Sequence, residues 1–578
     1  MVGEEKEYYE KFWHTTAHVF ANALVELYPN VKIAIGPPIE QGFHYDFELD
    51  KNIDSKDLEK IEAKMNEILK RKDKMIKTEM PVAEALKFFK DNPYKVEMIN
   101  DLAKEGETII SIYTNGKFVD MCRGPHLEST AEIGAVKLLK NSVAYWKGNE
   151  KNKQLQRIYG IGFKTQKEMD EFLAMKKKAE ENSHIKLGKE LELFVQSDVV
   201  GKGLPLFAPR GAMMMQVLQR FIEDEETRRG YVRTRTPVIT KAELYKISGH
   251  YSHYKDGMFH VEIEDGEYFL RPMTCPHQFM IYKSKQYSYR ELPLRLGEVA
   301  SLFRKEQSGE LHGLIRIWQF TLNDAHIICT PEQLRPELYS TLDLVQFCLK
   351  KLGIKEYWYR FSKWDPNNKT KYVDNPKMWE ESQAILKEVL DTVKTPYTEA
   401  DDEAAFYGPK IDIQVRNVHG KEDTLFTVQV DFAMPASFDM TYISKDGSKQ
   451  RPVVIHRAAV GCLERTIAFM LEQTGGNLPF WLAPEQVRII PVSEKFLDDA
   501  HELKKQLFAS GIRVEVDEKD QTLGNKIRNA QVMKIPIMLV FGEKEKTTKE
   551  YQIRERSGKQ YKLKYDELLS MLKKMDAE

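Results

Sequence analysis

The sequence predicts a multidomain α+β and α/β protein, and three observations lead to that fold class. The chain has 578 residues, which is several times the usual size of a domain. Strand-like runs separated by short turns fill its middle, as a mainly antiparallel sheet requires. From Glu485 onward, strands and helices alternate instead, which is the pattern of a small α/β domain.

Residues 1–183 are predicted to form an α+β domain with a helical linker at its end. Apolar periodicity predicts a helix over residues 5–28, and Gly36 stands between two short strand-like runs. Residues 55–100 have a charge-rich helical pattern. Asn115-Gly116 predicts a hairpin, and we expect its second strand to carry polar groups at three positions: Asp120, Cys122 and His126.

Residues 184–482 are predicted to form a second domain on the antiparallel sheet, and residues 483–578 a third. A helical pattern ends at Gly230 and is followed by a strand with Pro237, which a sheet tolerates only at an edge or a boundary. The third domain contains no glycine-rich phosphate loop.

Composition excludes several classes of protein. Lysine plus arginine (87) nearly balances aspartate plus glutamate (88), so net charge neither indicates nor excludes a nucleic-acid partner. Five cysteines in so long a chain argue against a disulfide framework. There is no secretory signal and no run of eighteen apolar residues, so we expect a cytoplasmic protein.

Cys275, His326 and His456 are the candidate metal ligands. One thiol and two imidazoles, expected on three strand-like segments, suit tetrahedral zinc with one open position. Spacing alone favours a buried thiol and two hydrogen-bonded histidines instead.

Two arginine motifs accompany these ligands. LFRKE contains Arg304 and Glu306, which we expect on one strand of a hairpin, and GCLER places Arg465 at the start of a helix after Gly461. An isolated FRxE pattern is more typical of a surface ion pair. Two arginines that converge on one site instead suit the binding of a polyphosphate.

Together these motifs resemble the class II aminoacyl-tRNA synthetases. FRKE is similar to their second motif, GCLER to their third, and the segment ending RGYVRTRTP, with Pro237, to their dimer-forming first motif. RPMTCP, NDAHIIC, AFYGPKIDI and VVIHRAAVGCLER resemble the threonyl-tRNA synthetase family in particular. The resemblance runs from about His14 into the third domain.

The resemblance implies a homodimeric ligase that joins L-threonine to tRNA(Thr), using ATP with Mg²⁺. Arg304 and Arg465 would be catalytic. They would bind ATP together with Glu306, which would accept from the adenine amino group, and Phe320, which would stack on adenine with Arg465 on its other face.

Threonine selection is the second implication. The resemblance assigns one zinc ion to Cys275, His326 and His456, and it assigns amino-acid contacts to Asp324, Arg316, Tyr407 and Gln429. An apolar pocket separates valine from threonine only about 100-fold, whereas a site that must be satisfied by the hydroxyl separates them by roughly 10⁴ or more. Serine keeps the hydroxyl, so we expect it to be misactivated and to require editing.

HTTAH and CRGPH provide a candidate editing site. His14, His18, Cys122 and His126 could converge as a metal site or as a hydrolytic site. The resemblance implies that these residues, with Asp120, hydrolyse Ser-tRNA(Thr) through positioned water without a metal. It also implies that Glu545 and Arg554 read anticodon bases, although their charged segment alone would indicate a solvated loop.

The chain departs from the family pattern in three places. Cys275-Pro276-His277-Gln278 stands where relatives often have CPGH, and Leu322-Asn323 stands where they often have glutamine and aspartate. We expect the lost glutamine to remove one polar contact to threonine. A further small domain that often precedes the editing unit is expected to be missing.

Two other interpretations stay open from the sequence. A catalytically silent relative could bind tRNA or mRNA as a regulator, and a free-standing deacylase could carry a decayed synthetase body. Retention of Arg304, Glu306, Arg465 and the three candidate zinc ligands argues against both.

Overall fold

A computed structural model describes residues 4–577 and divides into two compact units. The N-terminal unit ends at Lys176 and the C-terminal unit begins at Lys177. Helix α5 contains the division. The three-domain division at residues 183 and 482 stays a prediction. Within the described residues, no helix is long and apolar enough to cross a membrane.

The N-terminal unit is an α+β fold. Its helices are α1 (Glu4–Leu27), α2 (Ser55–Arg71), α3 (Val82–Phe88), α4 (Pro93–Lys104) and the start of α5 (Gln166–Glu181). Its strands are β1 (Lys32–Ile35), β2 (Phe43–Glu48), β3 (Met75–Pro81), β4 (Ile109–Asn115), β5 (Phe118–Met121), β6 (Ala135–Tyr145) and β7 (Gln154–Phe163).

Two antiparallel sheets organise this unit. One has the order β1-β2-β7-β6 and the other β3-β4-β5. Apolar residues of α1, among them Phe12 and Phe20, share a core with Phe43 and Phe47 of β2. Packing in this core fixes the orientation of the α1 face that carries His14 and His18.

The sequence prediction for this unit is partly wrong. The helix over residues 5–28 and the hairpin at Asn115-Gly116 are confirmed, but the stretch 55–100 is not continuously helical. Strand β3 interrupts it, and its mostly exposed residues offered no apolar alternation that would have marked a strand. Strands β6 and β7 were not predicted.

The C-terminal unit begins with the elements that surround a large sheet. Its first helices are α6 (His184–Glu190), α7 (Pro209–Arg228), α8 (Ala242–Ile247), α9 (His250–Tyr254), α10 (Cys275–Lys283), α11 (Leu334–Lys351), α12 (Pro376–Val393), α13 (Met434–Ser437) and α14 (Leu463–Thr474). The accompanying strands are β8 (Phe194–Val195), β9 (Leu206–Phe207), β10 (Val232–Arg233), β11 (Ile239–Lys241), β12 (His260–Ile263), β13 (Gly266–Leu270), β14 (Tyr287–Ser288), β15 (Leu294–Phe303), β16 (Gln319–Cys329), β17 (Trp358–Ser362), β18 (Tyr397–Ala400), β19 (Lys410–Arg416), β20 (Glu422–Asp431), β21 (Tyr442–Ile443), β22 (Lys449–Gln450) and β23 (Val453–Ala458).

Eight of these strands form one sheet in the order β10-β15-β16-β23-β20-β19-β17-β18. Its inner pairs are antiparallel and its two outermost pairs are parallel. The predicted antiparallel sheet is therefore confirmed. In its register His326 lies beside His456, and His456 beside Gln429, so these side chains share one face of the sheet.

The last part of the chain forms a smaller sheet with helices. Its elements are β24 (Val487–Pro491), α15 (Leu497–Ala509), β25 (Val514–Val516), α16 (Leu523–Val532), β26 (Ile537–Phe541), α17 (Glu543–Thr548), β27 (Glu550–Glu555), β28 (Gln560–Lys564) and α18 (Tyr565–Ala577). Strands β25, β24 and β26 are parallel, as the alternation predicts, and β27 and β28 add an antiparallel edge.

Candidate active site

Cys275, His326 and His456 converge on the cleft face of the large sheet. Each offers one ligand atom, these atoms all lie within 4.8 Å of one another, and all three residues are buried. The expectation that all three lie on strands is wrong for Cys275, which is the first residue of α10. Pro276 follows it, and proline favours the first turn of a helix because no intrahelical partner for its N–H is lost there.

Both histidines are oriented by a second side chain. Nδ1–H of His326 donates to Oε1 of Gln278 at 2.6 Å, and Nε2–H of His456 donates to Oδ2 of Asp431 at 2.9 Å. Gln278 is itself fixed, since its Nε2 donates to the Thr234 hydroxyl at 2.7 Å. These contacts leave one nitrogen of each ring free to bind a metal.

Burial also favours the ligand form of one imidazole. It lowers the pKa of His326 well below its ordinary value, so that ring is neutral, the state that coordinates metal. Burial raises the pKa of the Cys275 thiol well above its ordinary value. A bound cation would oppose that effect, because it stabilises the thiolate.

The three candidate ligands line a cleft of about 640 Å³. Both predicted catalytic arginines, Arg304 and Arg465, line the same cleft. One cavity therefore contains a candidate metal site and two cations suited to a polyphosphate.

The arginine motifs lie beside the strands rather than on them. Arg304 and Glu306 follow the end of β15, so the expectation that both lie on a hairpin strand is wrong. The Arg304 guanidinium lies 5.2 Å from the centre of the Phe320 ring. Arg465 is the third residue of α14, and its Nε donates to the Ile315 carbonyl at 3.2 Å.

The predicted amino-acid contacts lie on neighbouring strands and loops around the cleft. Asp324 is buried and accepts from the Thr274 hydroxyl, and Tyr407 donates to Gln429. Arg316 also lines the cleft. Its guanidinium forms ion pairs with Glu306 at 3.2 Å and Glu310 at 3.3 Å.

The two departures at residues 322 and 323 differ in their consequences. Leu322 lines the cleft. Asn323 is completely buried, donates to Glu226 at 2.8 Å and accepts from Arg457 at 3.1 Å. Alternation along β16 explains this, because Leu322 and Asp324 point to one face of the strand and Asn323 to the other. Of these two departures, only the one at Leu322 changes the lining of the cleft.

A second cluster lies in the N-terminal unit. The ligand atoms of His14, His18, Cys122 and His126 also lie within 4.8 Å of one another. The Cys122 sulfur is 3.2 Å from Nε2 of His14 and 3.2 Å from Nε2 of His126. Asp120 lies on β5, whereas Cys122 and His126 follow that strand, so their predicted place on it is wrong.

Burial holds this cluster in its uncharged form. It lowers the pKa of His14 and His126, and lowers that of fully buried His18 well below its ordinary value. Burial raises the pKa of Cys122 to about 11. At neutral pH the cluster therefore consists of neutral imidazoles and a thiol.

The structure adds two residues that the sequence prediction missed. Lys95 forms a buried ion pair with Asp120 at 2.7 Å, and the Tyr45 hydroxyl donates to Asp120 at 3.0 Å. Lys95 lies in a lysine- and glutamate-rich stretch, where nothing local indicates burial. Tyr45 lies in the alternating run FHYDF, a pattern that predicts an inward-facing side chain.

The two predicted anticodon residues lie on adjacent elements. Glu545 is on α17 and accepts from the Gly542 backbone N–H at 2.9 Å. Arg554 is on β27, and its buried Nε has no hydrogen-bond partner within the described residues.

Comparison with protein families gives three matches. The tRNA synthetase class II core domain (G, H, P, S and T) matches residues 259–474. The anticodon binding domain matches residues 486–575, and the threonyl and alanyl tRNA synthetase second additional domain matches residues 110–159.

Curated relatives match nearly the whole chain. Threonine–tRNA ligase from Clostridium perfringens is 52% identical over 559 residues, covering 96% of this chain and 87% of the relative. The enzyme from Clostridium botulinum is 53% identical over 549 residues, covering 94% and 85%. A crystal structure of the RNA binding domain of threonyl-tRNA synthetase from Cryptosporidium parvum aligns with a TM-score of 0.65 and 36% identity, covering 68% of this chain and 98% of that chain.

The antiparallel sheet, the two arginine motifs at its cleft and the matched core domain define a ligase of the class II aminoacyl-tRNA synthetases. Within that class the distinguishing evidence is the identity over nearly the whole chain and the matched second additional domain. The chain belongs to the threonine–tRNA ligase family.

Proposed function

We propose that this enzyme activates L-threonine with ATP, transfers it to tRNA(Thr) and clears Ser-tRNA(Thr) in its N-terminal unit. The observation that carries the proposal is the convergence of Cys275, His326 and His456 in the cleft that also holds Arg304 and Arg465. We assign editing to residues 1–183, aminoacylation to residues 184–482 and anticodon binding to residues 483–578.

ATP binding is assigned to the arginine end of the cleft. Arg304 and Arg465 offer permanently charged, planar donors to the polyphosphate, which Mg²⁺ accompanies. Phe320 is proposed to supply an aromatic face for adenine, with Arg465 on the other face of the base. Glu306 is the proposed acceptor for the adenine amino group. Its Oε2 pairs with Arg316, and a carboxylate has further acceptor sites.

Threonine binding is assigned to the ligand end of the cleft. One thiol and two oriented imidazoles fit zinc with an open position. When bound, zinc supplies a Lewis acid that can take the amino group and the hydroxyl of threonine. We propose that Asp324, Tyr407, Gln429 and Arg316 contact the remaining polar atoms of the amino acid.

A site that must bind the side-chain hydroxyl of threonine rejects valine, which has none, but cannot strongly reject serine. Serine lacks only a methyl group, whose loss costs about 1–3 kcal/mol. We assign the clearance of Ser-tRNA(Thr) to His14, His18, Asp120, Cys122 and His126, acting on a positioned water without a metal. The lowered pKa of His14 keeps that imidazole unprotonated and able to accept a proton at neutral pH, and the high pKa of Cys122 argues against a thiolate nucleophile.

We assign anticodon contacts to Glu545 and Arg554, and the unpartnered Nε of Arg554 supports its role. A homodimer is proposed through α7 and the segment containing Pro237. Exposed apolar side chains support that surface, among them Met213, Val232, Val238 and Ile239.

Threonine-dependent exchange of pyrophosphate into ATP tests the proposed function. Zinc-replete protein is expected to catalyse the exchange with threonine, more weakly with serine and hardly at all with valine. Absence of exchange with threonine would refute the ligase assignment. Exchange with valine at the rate for serine would refute the assignment of the hydroxyl-binding site.

A further inference from the structure

His184 is a buried histidine that belongs to neither cluster and has no part in the steps proposed above. It begins helix α6, and its side chain is 0% exposed. Its Nδ1–H donates to Oε1 of Glu472 at 2.6 Å, and its Nε2 accepts from the Leu314 backbone N–H at 3.1 Å. Because one ring nitrogen donates and the other accepts, the hydrogen bonds require a neutral imidazole in a single tautomer.

The two partners of His184 lie on the two elements that carry the ATP arginines. Glu472 lies near the C-terminal end of α14, and Arg465 lies near the start of the same helix. Leu314 lies in the turn that joins β15 to β16, downstream of Arg304. At 1.5 Å per residue, Glu472 and Arg465 are separated by about 10 Å along the helix.

The turn and the helix are thus joined at two points. In the cleft, Nε of Arg465 donates to the carbonyl of Ile315 at 3.2 Å. Behind the cleft, the His184 imidazole connects Glu472 to Leu314, the residue directly before Ile315. The contact made by His184 therefore fixes the peptide segment whose carbonyl orients Arg465.

Gly313 shows how closely the turn passes the imidazole. A Cβ at this position would lie 1.9 Å from Nε2 of His184, and the residue has a φ of +50°. Both the left-handed backbone and the lack of space require glycine. The imidazole therefore defines the path of the turn as well as donating and accepting hydrogen bonds.

We propose that His184 is a positioning residue for ATP binding, which it promotes by holding the turn against α14 so that the Ile315 carbonyl directs Arg465 into the cleft. The proposal rests on the assignment of Arg465 to ATP. Removing the imidazole leaves the Leu314 N–H and the Glu472 carboxylate buried without this partner, which favours displacement of the turn. Of the groups assigned to threonine, Arg316 lies in the turn, whereas Gln429 and His456 lie on sheet strands outside it, so threonine binding should be impaired less than ATP binding.

His184→Ala and His184→Gln test the proposal. Calorimetry with Mg·ATP is expected to give a Kd raised about tenfold in the alanine variant, the scale of one lost buried hydrogen bond. Glutamine offers one amide donor and one carbonyl acceptor, so His184→Gln should recover most of the affinity. In the exchange assay the KM for ATP should rise with the Kd, and the KM for threonine should rise less, because Arg316 is the one assigned threonine contact that lies in the turn.

A matched control is His501→Ala, which removes an exposed histidine paired with Glu518 at 3.2 Å in the last part of the chain. Its Kd for Mg·ATP should equal that of the wild type.

Glu472→Gln is a milder second variant. It keeps the shape of the partner of His184 but removes the charge that strengthens the hydrogen bond, and it should raise the Kd for Mg·ATP by about threefold.

Three results would overturn the proposal: unchanged ATP affinity in both His184→Ala and Glu472→Gln, equal losses of ATP and threonine binding, or a glutamine variant as impaired as the alanine variant. A lower thermal midpoint with unchanged ATP affinity would mean that His184 is only structural. The proposed function can fail independently of this proposal. Wild-type protein that binds ATP but shows no threonine-dependent exchange would refute the ligase assignment, and calorimetry with the His184 variants would still test the role of His184.

Discussion

The two histidine-cysteine clusters have similar spacing but different surroundings. In the catalytic cleft, a carboxylate and a carboxamide each accept from one histidine, so the remaining nitrogens and the Cys275 sulfur are directed at one point. In the N-terminal cluster, the thiol instead lies within hydrogen-bonding distance of two imidazoles.

The surroundings therefore distinguish the two clusters better than their ligand atoms do. Metal-binding histidines normally donate to an oriented acceptor. Nδ1 of His14 lies 3.2 Å from the Pro125 carbonyl and Nδ1 of His126 lies 3.3 Å from the Thr15 hydroxyl, but Nδ1 of buried His18 has no partner within the described residues. The unpartnered ring of His18, together with the contacts of the thiol to two imidazoles, favours zinc in the first cluster and metal-free hydrolysis in the second.

Cys275→Ser tests the assignment of zinc to the cleft. Loss of a ligand should lower zinc affinity and threonine activation together by more than about 100-fold, since removal of a residue that only hydrogen-bonds a ligand already costs about 10–100-fold. Metal analysis and pyrophosphate exchange measure the two losses. Ser-tRNA(Thr) hydrolysis serves as the control and should not change. Zinc retained at one ion per subunit would remove Cys275 from the site and indicate the N-terminal cluster instead.

His14→Ala combined with His18→Ala tests the other cluster. General-base groups typically contribute 10²–10⁴-fold, so Ser-tRNA(Thr) hydrolysis should fall by at least about 100-fold. Threonine activation and zinc content should stay at the wild-type level. Loss of zinc in this variant would show that the two clusters do not differ in the proposed way, and normal clearance of Ser-tRNA(Thr) would end the editing assignment.

Sequence reasoning predicted the motifs better than their placement. Alternation and turn signals locate β15, β16 and β23, but the pairing of His326 with His456 depends on strand register between distant segments. The strand-like run before Cys275 predicts a strand at that residue. The start of α10 there depends on Pro276 and on packing of the helix against the sheet.

The least predictable residues were the hydrogen-bond and ion-pair partners that come from distant segments of the chain. Gln278, Asp431 and Lys95 are polar residues in segments whose local pattern indicates no buried role. Their hydrogen bonds and ion pairs form only when separate elements pack together. The orientation of Asn323 could be predicted from the sequence, because alternation along β16 turns that residue to the face opposite Leu322.

Gln278→Leu and Gln278→Glu test the hydrogen bond to His326 while leaving all three candidate zinc ligands in place. Leucine removes the acceptor for Nδ1 of His326 and should weaken zinc affinity by about 10–100-fold. Glutamate keeps an acceptor and should retain most of the affinity. Competition with a zinc chelator provides the measurement. Equal affinity in the wild type and the leucine variant would contradict the role given to the surroundings.

Editing is expected to depend only weakly on pH near neutrality. Burial lowers the pKa of His14 and His126 below their ordinary 6.5, so both remain neutral as the pH falls through that value. Hydrolysis of Ser-tRNA(Thr) should therefore be nearly constant between about pH 8 and pH 6.5 and decline only at lower pH. A rate that instead increases with ionisation of a thiol, toward the pKa of about 11 of Cys122, would identify a thiolate nucleophile. Single-turnover hydrolysis in buffers of constant ionic strength separates the two profiles, with the His14→Ala and His18→Ala double variant as the background rate.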